Sequence, residues 1–442
     1  MLNRKERIVE MKKIVSLLIA ASAAFSVQSA EPHIHEGSVV MSQGSSSRQV
    51  VITYDLLDAS AIVTVDILTN GVTIGAANLT HFAGDVNCVV EPGAGRRITW
   101  RPDKAWPGYL ITDGSVSAKV TAWALNAPPD YMVVDLVTDN DITFYTAAEC
   151  LPFGGVTNMI YKTDKLVMRK CPAANVRWRM GAPTKEPGYA SRQVAHNVTL
   201  TNDFYIGVYE MTQRQYERIT GNASCAHFSN KDCYAARPME KLKWAHMRMG
   251  SDGNTHEGYD WPVNGHAVAS DSVLGLLRAK VNWRVLFDLP LEAQWEFACR
   301  AGVGTGLYTG KEITKTEGIC PNVDEIARYQ YNSGETTGIP DQGLGLEGGT
   351  AAVGSYLQNN WGIYDMCGNV MEYCLDLWKQ DLTGVDPETG SLTAAGSRAR
   401  RGGHFQSDPK QTRSAYRIEY GTVTLADCQS GFRLAAPAEI YE

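Results

Sequence analysis

The 442-residue sequence has no C-x-x-C pair, no Gly-x-Ser-x-Gly segment and, beyond residue 30, no apolar run long enough to cross a membrane. The first absence removes the pattern of a zinc ribbon or a thioredoxin-type redox site, and the second removes that of a serine hydrolase. Ten cysteines are present, which allows one to four disulfide bridges in an oxidising compartment without defining their pairing. Cys225 and Cys233 are close enough in sequence for a disulfide that closes a local loop. The alternative is that both are buried free thiols.

Positive charge is also in short supply. The chain has 41 Lys and Arg against 48 Asp and Glu, a formal net charge of -7. A protein that binds nucleic acid needs a basic face for the phosphates, so this balance disfavours a nucleic-acid partner and is compatible with cation binding. The length suggests two or three domains, and a hydrophobic content of 44% is ample for their cores.

The segment 1–30 has the pattern of a bacterial secretion signal. Lys12 and Lys13 precede an apolar segment at 14–25, and small residues offer a cleavage site near Ser29 or Ala30. Met11 would be the start of a compact signal of this kind. We therefore predict a signal peptide over residues 1–30 and a secreted or periplasmic mature protein without a transmembrane span.

Residues 31–128 carry the pattern of an all-β domain. VVITYDL and AIVTVDIL alternate apolar and polar positions with a period of two, and Asn70-Gly71 between VDIL and VTIG is typical of a type I′ hairpin turn. Turn residues separate the further short strands RRITW and VSAKVTAWAL. We predict a small β-sandwich of the immunoglobulin or fibronectin type, acting as an accessory module.

A change of pattern follows NAPPD, residues 126–130, and we take 129–162 as a linker leading into a domain at 163–442. Three helices are predicted there. Thr212 is expected to cap QRQYERITG, and Asp271 is expected to start SVLGLLRAKV. The third helix should run from Leu291 to a stop at Gly302, although leucine cannot cap a helix and only Gln294 supplies half of a capping box.

Six sequence blocks of this region together resemble one known family. They are FYIGVYEMTQRQY (204–216), FDLPLEAQWEFACRAG (287–302), NNWGIYDMCGNVMEYCLDLW (359–378), RRGGHF (400–405), RSAYR (413–417) and SGFRLA (430–435). Their order is similar to that of the sulfatase-modifying factor, or formylglycine-generating enzyme, family. The likeness runs from about Thr163 to Ala435, which is well over half of the chain.

The resemblance implies an α+β fold class: a C-type-lectin-like domain with little regular secondary structure, here preceded by the β-sandwich. It also implies bound calcium, with side-chain ligands Asp365 and Glu372 and carbonyl ligands Gly368 and Val370. The alternative is that Asp365 caps a turn and Glu372 pairs with a buried arginine. Candidate arginines are Arg401 and Arg417, which we expect to be buried against Glu210, Glu296 and Glu372.

The sequence disfavours catalysis by the family's route. Members that make formylglycine oxidise a sulfatase cysteine with oxygen, using copper(I) held by two cysteine thiolates, and soft sulfur suits that ion. Counted without gaps, the two cysteine positions fall on Ser407 and Thr412, and no cysteine lies between Cys374 and Cys428. Hydroxyls are poor copper(I) ligands, so copper is not expected and the enzymatic status stays open.

Three functional hypotheses follow. The chain is an exported homologue of formylglycine-generating enzyme, its copper site lost, that acts on or binds another protein such as a sulfatase. Alternatively it is a non-catalytic, lectin-like module that binds a protein or a glycan through the loop after the RGG block, with His404, Gln406, Ser407 and the surface residue Arg413 as candidates. A third hypothesis is a maturation factor whose chemistry the sequence does not display.

Overall fold

The structure, a computed structural model, describes residues 31–108, 115–254, 267–334, 348–384, 396–420 and 423–442. The predicted signal peptide, residues 1–30, lies outside the described residues. Within the described part of the chain, no helix has the length and apolar character that a membrane crossing needs. The architecture is mixed, mostly β-structure with few helices, which is consistent with the C-type-lectin-like fold.

The N-terminal region consists of two antiparallel sheets. Its strands are β1 (His33–Ile34), β2 (Val40–Gln43), β3 (Val50–Leu57), β4 (Ala61–Thr69), β5 (Val72–Thr73), β6 (Phe82–Gly84), β7 (Val89–Val90), β8 (Gly93–Trp100) and β9 (Val116–Trp123). The first sheet has the order β1-β3-β8-β6, with β2 also paired to β3. The second has the order β5-β4-β7, with β9 also paired to β4.

The local structure of this region agrees with the predictions made from its sequence. Every second side chain of β3 from Val50 onward is buried, as the period of two predicts. Asn70 and Gly71 have φ values of 49° and 77°, and Thr69 pairs with Val72. A type I′ turn needs positive φ at both central residues, so the hairpin prediction is confirmed. Side chains of both sheets share one hydrophobic core, and their assignment to an immunoglobulin- or fibronectin-like sandwich stays a prediction.

The rest of the chain contains eleven described strands in three further sheets. They are β10 (Tyr131–Asp135), β11 (Ile142–Tyr145), β12 (Lys165–Cys171), β13 (Arg177–Met180), β14 (His196–Thr199), β15 (Phe204–Gly207), β16 (Met371–Leu377), β17 (Arg398–Arg401), β18 (Arg417–Tyr420), β19 (Ser430–Gly431) and β20 (Ala435–Pro437). The orders are β11-β10-β12-β15-β20, β13-β14 and β18-β17-β16-β19. Residues 129–162, predicted as a linker and domain entry, contribute β10 and β11 to the first of these sheets. The domain boundaries stay a prediction.

Six described α-helices connect the strands. They are α1 (Pro102–Ala105), α2 (Gln213–Thr220), α3 (Trp244–Arg248), α4 (Val273–Lys280), α5 (Glu292–Arg300) and α6 (Pro321–Asp324). Thr212 caps α2 through a full capping box with Gln215, as predicted. The cap of α4 is Ser272, one residue after the predicted Asp271, whose carboxylate instead accepts hydrogen bonds from Ser251.

Helix α5 begins after Leu291, and Gln294 accepts a hydrogen bond from the Leu291 N–H at 2.9 Å, as expected for half of a capping box. The missing side-chain cap is replaced from a distant segment. The Asp376 carboxylate, on β16, accepts a hydrogen bond of 2.6 Å from the Glu292 N–H. Burial and the nearby Glu292 carboxylate raise the pKa of Asp376 to about 7.

All ten cysteines lie in the described residues, and all are free thiols. Cys225 and Cys233 are both exposed, so of the two sequence alternatives the free thiols are observed, at the surface rather than buried. The fold is therefore held together without disulfide bridges in this structure.

The raised pKa of Asp376 predicts that the stability of the protein depends on pH. The folded protein retains this proton up to about pH 7, whereas the unfolded chain releases it near pH 3.9, so the free energy of unfolding should fall as pH rises from about 4 to 7. Asp376→Asn keeps an acceptor for Glu292 without the charge. Urea unfolding should show this variant more stable than the wild type at pH 8, by about 1–4 kcal/mol, and little changed at pH 4.

Asp376→Ala is the control, because it removes the acceptor as well as the charge and should lose about 1 kcal/mol at pH 4, where the wild-type side chain is protonated. An Asn variant with the same pH slope as the wild type would contradict the assignment.

Candidate functional site

The loop before β16 is shaped by residues with left-handed backbone conformation. Asp365, Gly368 and Asn369 have φ values of 57°, 77° and 58°. A Cβ at Gly368 would lie 2.3 Å from the carbonyl oxygen of Arg328, so only glycine fits there. The Asn369 side chain donates a 2.6 Å hydrogen bond to Glu210, which ties the loop to the segment after β15.

The Glu372 carboxylate, on β16, is fully engaged by protein donors. Arg433 lies 2.7 Å from one oxygen and 3.0 Å from the other, and the Trp295 indole N–H donates to the carboxylate at 2.7 Å. The same guanidinium donates to the carbonyl oxygens of Gly207 and Tyr364, each at 2.8 Å. Both charged side chains are buried, so the pair is desolvated and multiply hydrogen-bonded.

From the sequence, the alternative to calcium binding was pairing of Glu372 with a buried arginine. The structure shows such a pair, but the arginine differs from the two that were named. Arg433 takes the place proposed for Arg401 or Arg417. Arg401 lies 2.9 Å from Glu292 and 2.7 Å from Glu296, and Arg417 lies 2.6 Å from Glu292. Of the predicted acidic partners, Glu296 is confirmed for Arg401.

Two more buried carboxylates lie near Arg433. Asp365 accepts a hydrogen bond of 2.6 Å from the Gly354 N–H, and burial raises its pKa to about 6. Glu210 accepts from the Val370 N–H at 3.2 Å, and burial together with the Asp365 charge raises its pKa well above the ordinary value. Three acidic side chains therefore surround one guanidinium in the core.

One predicted calcium ligand, Glu372, is already engaged by protein donors in this structure. Both Glu372 oxygens already accept hydrogen bonds, from Arg433 and Trp295. Across the described ranges there is no group of three or more His, Cys, Asp or Glu side chains placed to hold a metal ion. Calcium at Asp365, Gly368, Val370 and Glu372 stays a prediction from the resemblance.

The RGG block forms a closed turn after β17. A Cβ at Gly403 would lie 2.7 Å from the Gln411 carbonyl oxygen, so the turn requires glycine. The Ser407 hydroxyl accepts a 2.9 Å hydrogen bond from the His404 N–H, and the Thr412 hydroxyl donates to the Pro409 carbonyl at 3.0 Å. Both hydroxyls are buried, so each serves the local turn.

Only one of the four candidate binding residues is exposed. The His404 ring is buried, and burial together with Arg400 lowers its pKa to about 4. Ser407 is also buried, whereas Gln406 is exposed and accepts a 2.8 Å hydrogen bond from Gln429. Sequence reasoning missed Gln429, because only the fold brings it beside the loop.

The prediction that Arg413 is a surface residue is wrong. Its side chain is fully buried and forms an ion pair with Glu186, and it also donates to the Gln193 side chain at 2.8 Å. Both partners belong to a segment far earlier in the chain, between β13 and β14. No local pattern in the sequence could have indicated them.

Comparison with known proteins identifies the family of the chain. The model of the sulfatase-modifying factor enzyme 1-like domain matches residues 173–438, more than half of the chain. The chain belongs to this family.

Several relatives have established names. A formylglycine-generating enzyme of Thermomonospora curvata is 32% identical over 164 residues, which are 34% of this chain and 48% of the relative, so the chain spans about half of that enzyme's length. The chaperone protein LppX of Paenibacillus barcinonensis is 28% identical over 235 residues, 50% of this chain and 75% of the relative. The solved structure of PvdO from Pseudomonas aeruginosa is 21% identical with a TM-score of 0.46, covering 61% of this chain and 94% of that one.

The Arg433–Glu372 pair of this sulfatase-modifying factor domain predicts that a single and a double variant lose different amounts of stability. Arg433→Met leaves a buried carboxylate without its cation and should lower the free energy of unfolding by about 3–5 kcal/mol. Arg433→Met combined with Glu372→Gln removes both charges and keeps an acceptor for Trp295, so we expect a smaller loss. Urea unfolding at pH 7 measures both, and an equal loss in the single and double variants would contradict the role of the pair.

Proposed function

We propose that this chain is an exported member of the sulfatase-modifying factor family that recognises another exported protein and does not perform copper-dependent cysteine oxidation. The observation that supports the proposal is the state of the two positions on which the family's copper cysteines fall when the resemblance is counted without gaps. Both hold hydroxyl residues, Ser407 and Thr412, that are buried and hydrogen-bonded within their own turn. A hydroxyl is a hard oxygen donor and does not offer copper(I) the soft sulfur ligand that this ion prefers.

The state of the two cysteines that flank this stretch, Cys374 and Cys428, supports the proposal. Cys374 is fully buried on β16, where burial raises its pKa well above the ordinary value and so disfavours the thiolate that copper would need. Cys428 is partly exposed, but it follows the RSAYR block and would act as a single sulfur ligand. The remaining surface of the RGG turn suits recognition better than redox chemistry.

Two further observations support a protein partner outside the cytoplasm. The relative LppX is named a chaperone protein, and the similarity extends over three quarters of its length. The segment 1–30 of this chain has the composition of a secretion signal. Together they favour a role in the binding or maturation of a secreted or periplasmic protein, for which a sulfatase is the partner that the family resemblance suggests.

The oxidase question has a direct test. The protein from residue 31 onward is purified, supplied with copper(I), calcium and oxygen, and offered a peptide with the Cys-x-Pro-x-Arg pattern. We expect no aldehyde product by mass spectrometry, because Ser407 and Thr412 do not hold copper. Aldehyde formation by the folded wild-type protein would overturn the proposal and direct attention to Cys374 and Cys428 as ligands.

A gain-of-site variant serves as the matched control. Ser407→Cys combined with Thr412→Cys restores two thiols at the aligned positions and should bind one copper(I) more than the wild type in a competition assay with a copper(I) chelator. Equal copper binding by the variant and the wild type would contradict the placement of the two positions.

A second candidate function is a pure recognition module that binds a protein or a glycan through the RGG turn. The observation that favours it is the exposed polar edge of this turn. Gln406 and Gln429 are linked by a 2.8 Å hydrogen bond, and Lys410 lies 2.6 Å from Glu317. These side chains form a neutral, polar surface that can exchange its internal hydrogen bonds for intermolecular ones.

Site-specific photo-crosslinking tests this surface. A benzoylphenylalanine at Gln406 should yield one crosslinked partner of defined mass in the exported fraction of the native cell, because the side chain is exposed at the centre of the surface. The matched control is the same residue at Val72, which is 65% exposed on the β4–β5 hairpin. Crosslinking at both positions, or at neither, would contradict recognition through the RGG turn.

A further inference from the structure

A second concave site lies away from the RGG turn, between the N-terminal sheets and the chain from residue 130 onward. It is a cleft of about 1190 Å³. One wall is formed by residues 77–82 and by Lys104, and the other by the loops 146–157 and 358–364 together with Tyr131 and Arg169. This volume exceeds that of a site for one small ligand, and it suits a chain of a few linked units.

Two tyrosines line the cleft with hydroxyls that have no protein partner. Tyr131 and Tyr364 are each only 8% exposed, and within the described ranges neither hydroxyl forms a hydrogen bond. Neither oxygen is fully sealed from solvent, so each keeps access to the cleft while its ring is buried. Buried tyrosines usually pair their hydroxyl, which makes these two groups candidates for ligand contacts.

The cleft also exposes an aromatic ring on a strained backbone. Phe153 is 58% exposed and has a φ of 61°, which is unusual for a bulky residue. Its carbonyl accepts a 2.8 Å hydrogen bond from Asn158, which holds the conformation. Trp283 is similarly exposed and strained, but Arg278 lies over its ring, whereas Phe153 has no cation or ring partner among the described residues. Strain and exposure of this kind concentrate at functional sites.

The charges of the cleft balance to zero. Its charged lining consists of Lys104 and Arg169 against Asp130 and Glu149. Arg169 is neutralised by Asp130 at 3.1 Å and lies over the Tyr131 ring. The lining therefore offers no field that would select an anion or a cation.

From these observations we propose that the cleft binds a neutral oligosaccharide, a role beyond the protein recognition proposed above. A sugar ring presents C–H groups on its face and hydroxyls around its edge. The faces would pack on Phe153 and Trp361, while the Tyr131 and Tyr364 hydroxyls and the Gln358 amide would exchange hydrogen bonds with the edge. The absence of net charge favours such a ligand over a charged peptide or a sulfated glycan.

Titration calorimetry with defined probes tests the proposal. The protein from residue 31 onward is titrated with cellohexaose, chitohexaose, laminarihexaose and mannohexaose. We expect saturable binding of at least one. Tyr131→Phe and Tyr364→Phe should each weaken that binding about tenfold, since each removes one hydrogen-bonding group and keeps the ring. Phe153→Ala should weaken it at least as much.

The matched control is Trp283→Ala, an exposed aromatic outside the cleft, and it should bind as the wild type does. Phe153 is largely exposed, so its variant remains informative if a tyrosine variant fails to fold. Three results would overturn the proposal. The first is no binding of any of the four probes, and the second is binding by the three cleft variants that equals that of the wild type. The third is binding of a heparin hexasaccharide or a peptide in place of the neutral probes.

Discussion

The ion pair between Arg433 and Glu372 is the interaction on which the family domain depends. One guanidinium, between β19 and β20, reaches β16 through Glu372, β15 through the Gly207 carbonyl and the loop before β16 through the Tyr364 carbonyl. Trp295 adds helix α5 to the same carboxylate. Burying two charges is unfavourable unless the remaining donors and acceptors are used, and here the guanidinium is used in three directions. The pair therefore couples elements that are far apart in the sequence and gives two sheets one shared centre.

The same principle explains which features could be predicted from the sequence. The cap at Thr212 and the turn at Asn70 and Gly71 depend on neighbouring residues, and they were predicted correctly. The partners of the buried arginines depend on segments that meet only in the folded chain. That is why Arg413, which follows an apparently exposed loop, proved to be buried against Glu186. Composition could indicate that arginines and acids are paired in the core, but only the tertiary fold determines which carboxylate each one meets.

Helix α5 illustrates how a local deficiency is corrected by long-range structure. Leu291 cannot cap the helix, and on sequence alone the helix should be weakened. The acceptor arrives from β16 as Asp376, whose proton affinity is raised by the same burial that places it there. In the RGG turn, too, local sequence determines one part of the structure and contacts in the folded chain determine the rest. The glycines of the RGG turn indicated a tight conformation correctly, while the inward orientation of His404 and Ser407 required the contacts of the turn itself.

The polar groups of this chain thus fall into two sets with different consequences. In the domain core, Arg433 and Arg401 each meet acidic partners at hydrogen-bonding distance, so these groups are committed to stability. At the cleft, Tyr131 and Tyr364 are nearly as well buried, but their hydroxyls form no hydrogen bond within the described part of the chain. A hydrogen bond that the fold leaves unmade costs free energy until water or a ligand supplies it. The Tyr131 and Tyr364 hydroxyls stay open to the cleft beside the exposed ring of Phe153, and the proposed sugar site uses these groups.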